Sequence, residues 1–188
     1  MLRLTWLALA AVLLAGCTLP ASRQQMYYPT YWAPILSEAA RGCASIVGNF
    51  QAIGENAQAS PNGLNSPTLM VVLGIAPRPN NYACAQLHLN KEQSILSVIA
   101  SGGVENGSAH LAVACVGGNL THQDKPGSSY SDGSDHSWSG SEVMSLANDG
   151  SLVVRTIGKA TTDDLLFRSS LSYDNYYRFK PCASTSGA

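Results

Sequence analysis

The sequence predicts a mainly β protein: an antiparallel meander of about seven strands, curled into a barrel or half-barrel, with one short buried helix. Three observations carry that expectation. Apolar and polar residues alternate with period two through the second half of the chain, as at Cys84–Asn90, where Ala85, Leu87 and Leu89 oppose Gln86, His88 and Asn90. Turn signals punctuate these runs, among them Asn106-Gly107 and Asn148-Asp149-Gly150. Long helix-favouring runs of Ala, Glu, Lys and Leu are missing after residue 45, while Gly and Ser are abundant. A sequential meander leaves two bare edges, and curling it closed hides them.

Taken in order, Ser45–Ile53 reads as the first strand, with Ile46, Gly48, Phe50 and Ala52 on one face. Residues 54–66 are a polar loop. Ser66 as N-cap, Pro67 at the first helical position, the apolar stretch Thr68–Leu73 and Gly74 as stop then mark the short helix. Apolar on most of its surface, that helix is expected to be buried. A Pro-rich connector, 75–81, precedes Cys84–Asn90. A turn at Lys91-Glu92 leads to Ile95–Ser101, and Asn106-Gly107 turns the chain into Ala109–Val116. Gly117–Asp135 reads as one long Gly/Ser/Asp loop. Ser137–Ala147 and Ser151–Gly158 form a hairpin through Asn148-Asp149-Gly150, and Ser169–Lys180 closes the set.

The N-terminus is of a different character. Arg3 supplies positive charge, Leu4–Ala15 form an apolar core, and Ala15-Gly16 precede Cys17, the order of a secretory signal over residues 1–16. The apolar run is about 12 residues, short of the roughly 20 that span a bilayer as a helix. Leu14-Ala15-Gly16-Cys17 resembles the lipobox of bacterial envelope lipoproteins. That resemblance implies lipidation of Cys17 through a thioether, cleavage before it, and attachment to a membrane by the acyl chains. Two or three chains make a stable tether where one is marginal. Thr18 stands where an aspartate retains such proteins in the inner membrane, so the resemblance further implies the outer membrane, with the domain facing the periplasm. Residues 17–42 read as the lipidated tether and 43–188 as the β-rich globular domain. Pro20 and Pro29 interrupt regular structure in the tether, and its aromatics Tyr27, Tyr28, Tyr31 and Trp32 either rest at the lipid headgroups or pack on the domain.

Four cysteines remain beside Cys17: Cys43, Cys84, Cys115 and Cys182. An even number in an exported chain points to two disulfides, with three pairings open to the sequence. No two of them lie at the short spacing of zinc motifs, so no metal site is expected from them. Net charge is −1, and no basic stripe suits nucleic acid.

Candidate chemistry is sparse. The loop Ser128–Trp138 holds Asp132, Asp135 and His136, from which a Ser-His-Asp hydrolase can be imagined. Triads are assembled from separate loops, however, and no Gly-x-Ser-x-Gly elbow is present. Asp132-Gly133-Ser134-Asp135 lacks the alternating ligands of a calcium loop. His88, His110, His122 and His136 are scattered singly, with His88 and His110 on strands that are candidates to be neighbours. Adjacent Asp163 and Asp164 would point to opposite faces of a strand. No phosphate loop or dinucleotide fingerprint occurs. The expectation is therefore no catalytic residue, no cofactor and no metal ligand.

Cys43-Ala-Ser-Ile-Val-Gly-Asn-Phe50 followed by Gly54-Glu55 resembles the opening of many small proteobacterial lipoproteins, in which a short apolar helix and a β meander follow. That likeness covers the order of elements and brings no functional residue with it. The leading expectation is an outer-membrane lipoprotein with a structural, binding or accessory role in the periplasm. Its alternatives are a calycin-like carrier of an apolar ligand or inhibitor of a periplasmic enzyme and, further off, an envelope hydrolase using His136.

Overall fold

The computed structural model describes residues 22–25, 27–36, 42–57, 67–75, 82–103, 106–124, 126–131, 134–164 and 167–182. Each expected strand has a counterpart, and four more strands join them in one eleven-stranded sheet. In chain order these are β1 Ser22–Gln25, β2 Gly48–Gln51, β3 Glu55–Asn56, β4 Cys84–Leu89, β5 Ile95–Ser101, β6 Gly107–Val116, β7 Asn119–Gln123, β8 Gly127–Ser131, β9 Ser134–Leu146, β10 Leu152–Asp163 and β11 Arg168–Phe179. A 3-10 turn covers Cys43–Ile46, and a one-turn helix α1 covers Leu69–Val72.

The spatial order β1-β11-β10-β9-β7-β6-β5-β4-β2 is a meander from β4 to β11, with β8 folded onto β9. Its pairings are antiparallel except at the edge, where β1 runs parallel to β11. The sheet curls into a half-barrel whose ends meet at β2. One side of β2 pairs with β4. On the other side Phe50 bridges Pro181, Gln51 N–H donates to the Lys180 carbonyl at 2.8 Å, and Cys182 N–H donates to the Asn49 carbonyl at 2.9 Å. That contact closes one end only. Strands β9, β10 and β11 run 13, 12 and 12 residues, roughly 40 Å each at about 3.3 Å per residue, and overshoot the closed end as an open ribbon.

Disulfides Cys43–Cys115 and Cys84–Cys182 staple the closed end, resolving the pairing that sequence left open. The first ties the 3-10 turn to the end of β6. The second ties the start of β4 to the chain just after β11. Inside, Ile46, Leu69, Leu73, Leu87, Leu96, Val98, Leu120, Met144, Leu152, Val154 and Phe179 are fully buried. Helix α1 plugs this core with Leu69, Met70 and Leu73, as its composition predicts.

Several expectations are corrected. Gly117–Asp135 is not a loop. It holds β7, β8 and the start of β9, with Gly117 and Gly118 both at positive φ (55° and 75°) forming the tight turn between β6 and β7. The N-cap of α1 is Thr68, whereas Ser66 lies outside the described residues. Thr68 is held extended by a bridge to Ile53, and Leu69 N–H donates to the Ala52 carbonyl, so pairing with 52–54 delays the helix. Gly74 does stop it, at φ +65°, with Gly74 and Ile75 N–H groups bonded to the Val71 and Met70 carbonyls. Asn106-Gly107 does not form a two-residue turn: Gly107 already pairs with Ala100 as the first residue of β6. Part of the segment read as a tether is built into the sheet through β1 and through an Ile35–Ala147 bridge. Residues 1–16 and Cys17 lie outside the described residues.

Candidate functional site

Strand register turns the interior face into rows running across β7, β9, β10 and β11. Nearest the closed end, Leu120, Met144, Val154 and Tyr177 form an apolar row. The next row is polar: His122 opposes Glu142, which opposes Thr156, which opposes Asn175. One step further, Asp124 meets Gly140 through its N–H, and Gly140 opposes Gly158, which opposes Tyr173. The two glycines leave space that side chains from either side enter. A Cβ on Gly140 would lie 3.1 Å from the Tyr173 hydroxyl and 3.3 Å from Asp124 Oδ2, and one on Gly158 would collide with Tyr173. The interior thus changes from hydrocarbon to a polar, glycine-lined mouth within two residues of strand.

At this mouth His122, Asp124 and Glu142 each offer a donor atom, all within 4.8 Å of one another. Glu142 is buried, at 3% exposure, and its Oε2 has no hydrogen-bond partner among the described residues. Burial first, then the neighbouring Asp124 carboxylate and a hydrogen bond shared with it, push the Glu142 carboxyl up to about 8. Among the described residues, no lysine or arginine is one of the main groups acting on it. The His122 ring is oriented by its own neighbour: Nδ1 lies 2.7 Å from the Ala112 carbonyl, which can only accept, so Nδ1 carries the proton. Nε2 is then the free nitrogen, 3.8 Å from Asp124 Oδ1. Burial, followed by the Asp124 and Glu142 charges, also raises the Tyr173 hydroxyl above its ordinary value. In the same row as Glu142, Asn175 Oδ1 is a second buried oxygen with no partner among the described residues.

His122 borders a surface hollow. Strands β6 and β7 stay paired only as far as Val113–His122, because β6 continues along β5 alone. Where they part, a hollow of about 330 Å³ is lined by Ala112, Val113, Thr121, His122 and Ser141 among others. At the other side, Gly74 at the end of α1 sits over Asp124, and a Cβ there would lie 3.1 Å from Oδ1.

The residues weighed from sequence fall elsewhere. His136 Nδ1 meets the Thr162 hydroxyl at 3.2 Å rather than a serine, and Asp132 lies outside the described residues. His88 and His110 are not adjacent: Ser97 of β5 stands between them, bonded to His110 Nδ1 at 2.9 Å. Asp163 pairs with Arg168 at 3.2 Å, and Asp164 accepts a hydrogen bond from Ser134. The tether aromatics divide. Trp32 is buried and Tyr28 packs edge-on against Trp32 and Tyr176, while Tyr27 and Tyr31 are 82% and 76% exposed.

Sequence reasoning missed the His122, Asp124 and Glu142 cluster. Two signals were available: His122-x-Asp124 puts both on one strand face, and Glu142 occupies an inward register otherwise filled by Met144 and Leu146. No family model matches the chain, and no curated protein matches it.

Proposed function

We propose that the protein is a lipid-anchored component of the bacterial outer membrane, held by acyl chains on Cys17, whose half-barrel serves a binding or accessory role in the periplasm rather than catalysis. The observation that carries this reading is the use of cysteine. Cys43 pairs with Cys115 and Cys84 with Cys182, so every cysteine but Cys17 is consumed by cross-links of the kind that persist in an oxidising compartment. Cys17 is the one left over, and it stands in the lipobox position. β1 begins five residues after Cys17, and its pairing with β11 holds the domain close to the anchor. Exposed Tyr27 and Tyr31 suit the headgroup layer there.

Packing of the core among the described residues weighs against carriage of an apolar ligand. Leu87, Leu96, Met144, Val154 and Phe179 occupy the space that a carrier keeps open. The polar mouth, with its buried unpartnered oxygens, supports binding there instead. Anchoring is tested by fractionating cells that express the wild type and Cys17→Ser. Wild type is expected in the outer membrane, extracted only by detergent, and the variant is expected to leave it. A variant that stays with the membrane refutes the reading.

A further inference from the structure

We propose that His122, Asp124 and Glu142 form a binding site for one divalent first-row transition-metal ion of the zinc class, at the mouth of the half-barrel. The inference goes beyond membrane anchoring and does not depend on it.

Three independent features of the geometry converge. The first is the donor set. One imidazole nitrogen and two carboxylates match the borderline cations that take mixed nitrogen and oxygen ligands, whereas Ca²⁺ and Mg²⁺ favour oxygen alone. The second is the orientation of His122. Its Nδ1–H is committed to the Ala112 carbonyl, the outer-shell contact that fixes a ligating histidine, and this aims the lone pair of Nε2 toward the carboxylates. Nε2 and the two carboxyl groups thus bring donor atoms within 4.8 Å of one another, a separation that an ion between them can bridge. The third is Oε2 of Glu142, an oxygen in an almost fully buried carboxyl that has no hydrogen-bond partner among the described residues. A divalent ion matches two ionised carboxylates in charge and gives that oxygen a partner.

The scale is right. Ligand atoms bound at about 2.0–2.2 Å around a tetrahedral ion lie roughly 3.3 Å apart. The donors already lie within 4.8 Å of one another, so closing on an ion requires side-chain movements of the order of 1 Å. Three protein ligands leave at least one position open, and His122 itself lines a hollow at the parting of β6 and β7.

The test is calorimetric titration of ZnCl₂ into the full chain, detergent-solubilised, with disulfides intact and stripped by chelator. One ion is expected per chain, bound more tightly than about 10 µM at pH 7. His122→Ala and Glu142→Gln are each expected to weaken binding more than tenfold, whereas His88→Ala and His136→Ala leave it unchanged. Co²⁺ as a second probe is expected to give visible d–d absorption in wild type that Glu142→Gln abolishes, with the variant's circular dichroism unchanged. The proposal is overturned if wild type fails to bind Zn²⁺, if His122→Ala binds as tightly, or if Mg²⁺ or Ca²⁺ binds equally well. Cys17→Ser is expected to keep full Zn²⁺ affinity, so failure of the anchoring reading and failure of this one are separately visible.

Discussion

Replacing Glu142 with glutamine should make the metal-free protein more stable at neutral pH, not less. In the unfolded chain this carboxyl titrates near 4.5, and in the folded chain near 8. At pH 7 folding therefore forces the buried group to take up a proton. The cost is about 1.4 kcal/mol for each pH unit above the unfolded value, or about 3 kcal/mol at pH 7. Below pH 4.5 both states hold the proton and the cost vanishes. The penalty grows as pH rises from 4.5 toward 8 and is constant above it. Glutamine is neutral throughout and of similar shape, so it removes the penalty while filling the same place opposite Thr156. Urea denaturation of wild type and Glu142→Gln, in chelator with disulfides intact, reads the difference directly. The two should coincide near pH 4.5, and the variant should lead by about 3 kcal/mol at pH 7. Parallel stability curves across that range would refute the assignment of a raised, buried carboxyl to this position.

Further outcomes follow from other parts of the structure. The Cys84→Ser, Cys182→Ser double variant opens a loop of sequence separation 98, and should lose about 4 kcal/mol in urea denaturation; an unchanged midpoint would mean the closure at β2 holds without it. Gly158→Ala drives a Cβ into Tyr173 and the Ser139 carbonyl, and should cost about 1–3 kcal/mol by thermal denaturation, with partial recovery when Tyr173→Ala is added. Asp149 behaves oppositely to Glu142: burial opposes its ionisation, but bonds from Ser151 and Arg178 outweigh this and hold the carboxyl below its usual range. Its contribution is present above the unfolded value and lost as pH falls through the folded one, so Asp149→Asn should flatten the acid limb of the stability curve and leave the neutral region's slope intact.

The strands that sequence revealed are those with one buried face. β4, β5 and β6 bury apolar residues at every second position where they line the core, and that alternation is visible without a structure, while β9, β10 and β11 bury Met144, Leu152–Val154 and Phe179 near the turns that the sequence marks. β7 and β8 give no such signal. Asn119–Gln123 has one apolar residue, Leu120, and Gly127–Ser131 has only Tyr130, which is 72% exposed. β7 is a strand because it fills the gap between β6 and β9, and β8 because it folds back on β9. β1 is likewise polar and exists through the free edge of β11. The polar mouth was hidden for the same reason: with β7 unrecognised, His122 and Asp124 had no face, and nothing local links them to Glu142. Disulfide pairing is equally non-local, since Cys43 meets Cys115 and Cys84 meets Cys182 only once the sheet has curled. The buried helix and the Asn148-Asp149-Gly150 turn, by comparison, are encoded within a few residues, and both are present; Gly150 sits at φ +79°.

Intact-mass spectrometry of the protein extracted from bacterial membranes bears most directly on where it resides and how it is held. The expected product begins at Cys17, carries acyl groups on that residue, and is four hydrogens lighter than its fully reduced form because Cys43–Cys115 and Cys84–Cys182 are closed. A chain that retains Met1, or an unmodified thiol at position 17, would contradict lipid anchoring, and four free thiols at the remaining cysteines would contradict the stapled half-barrel.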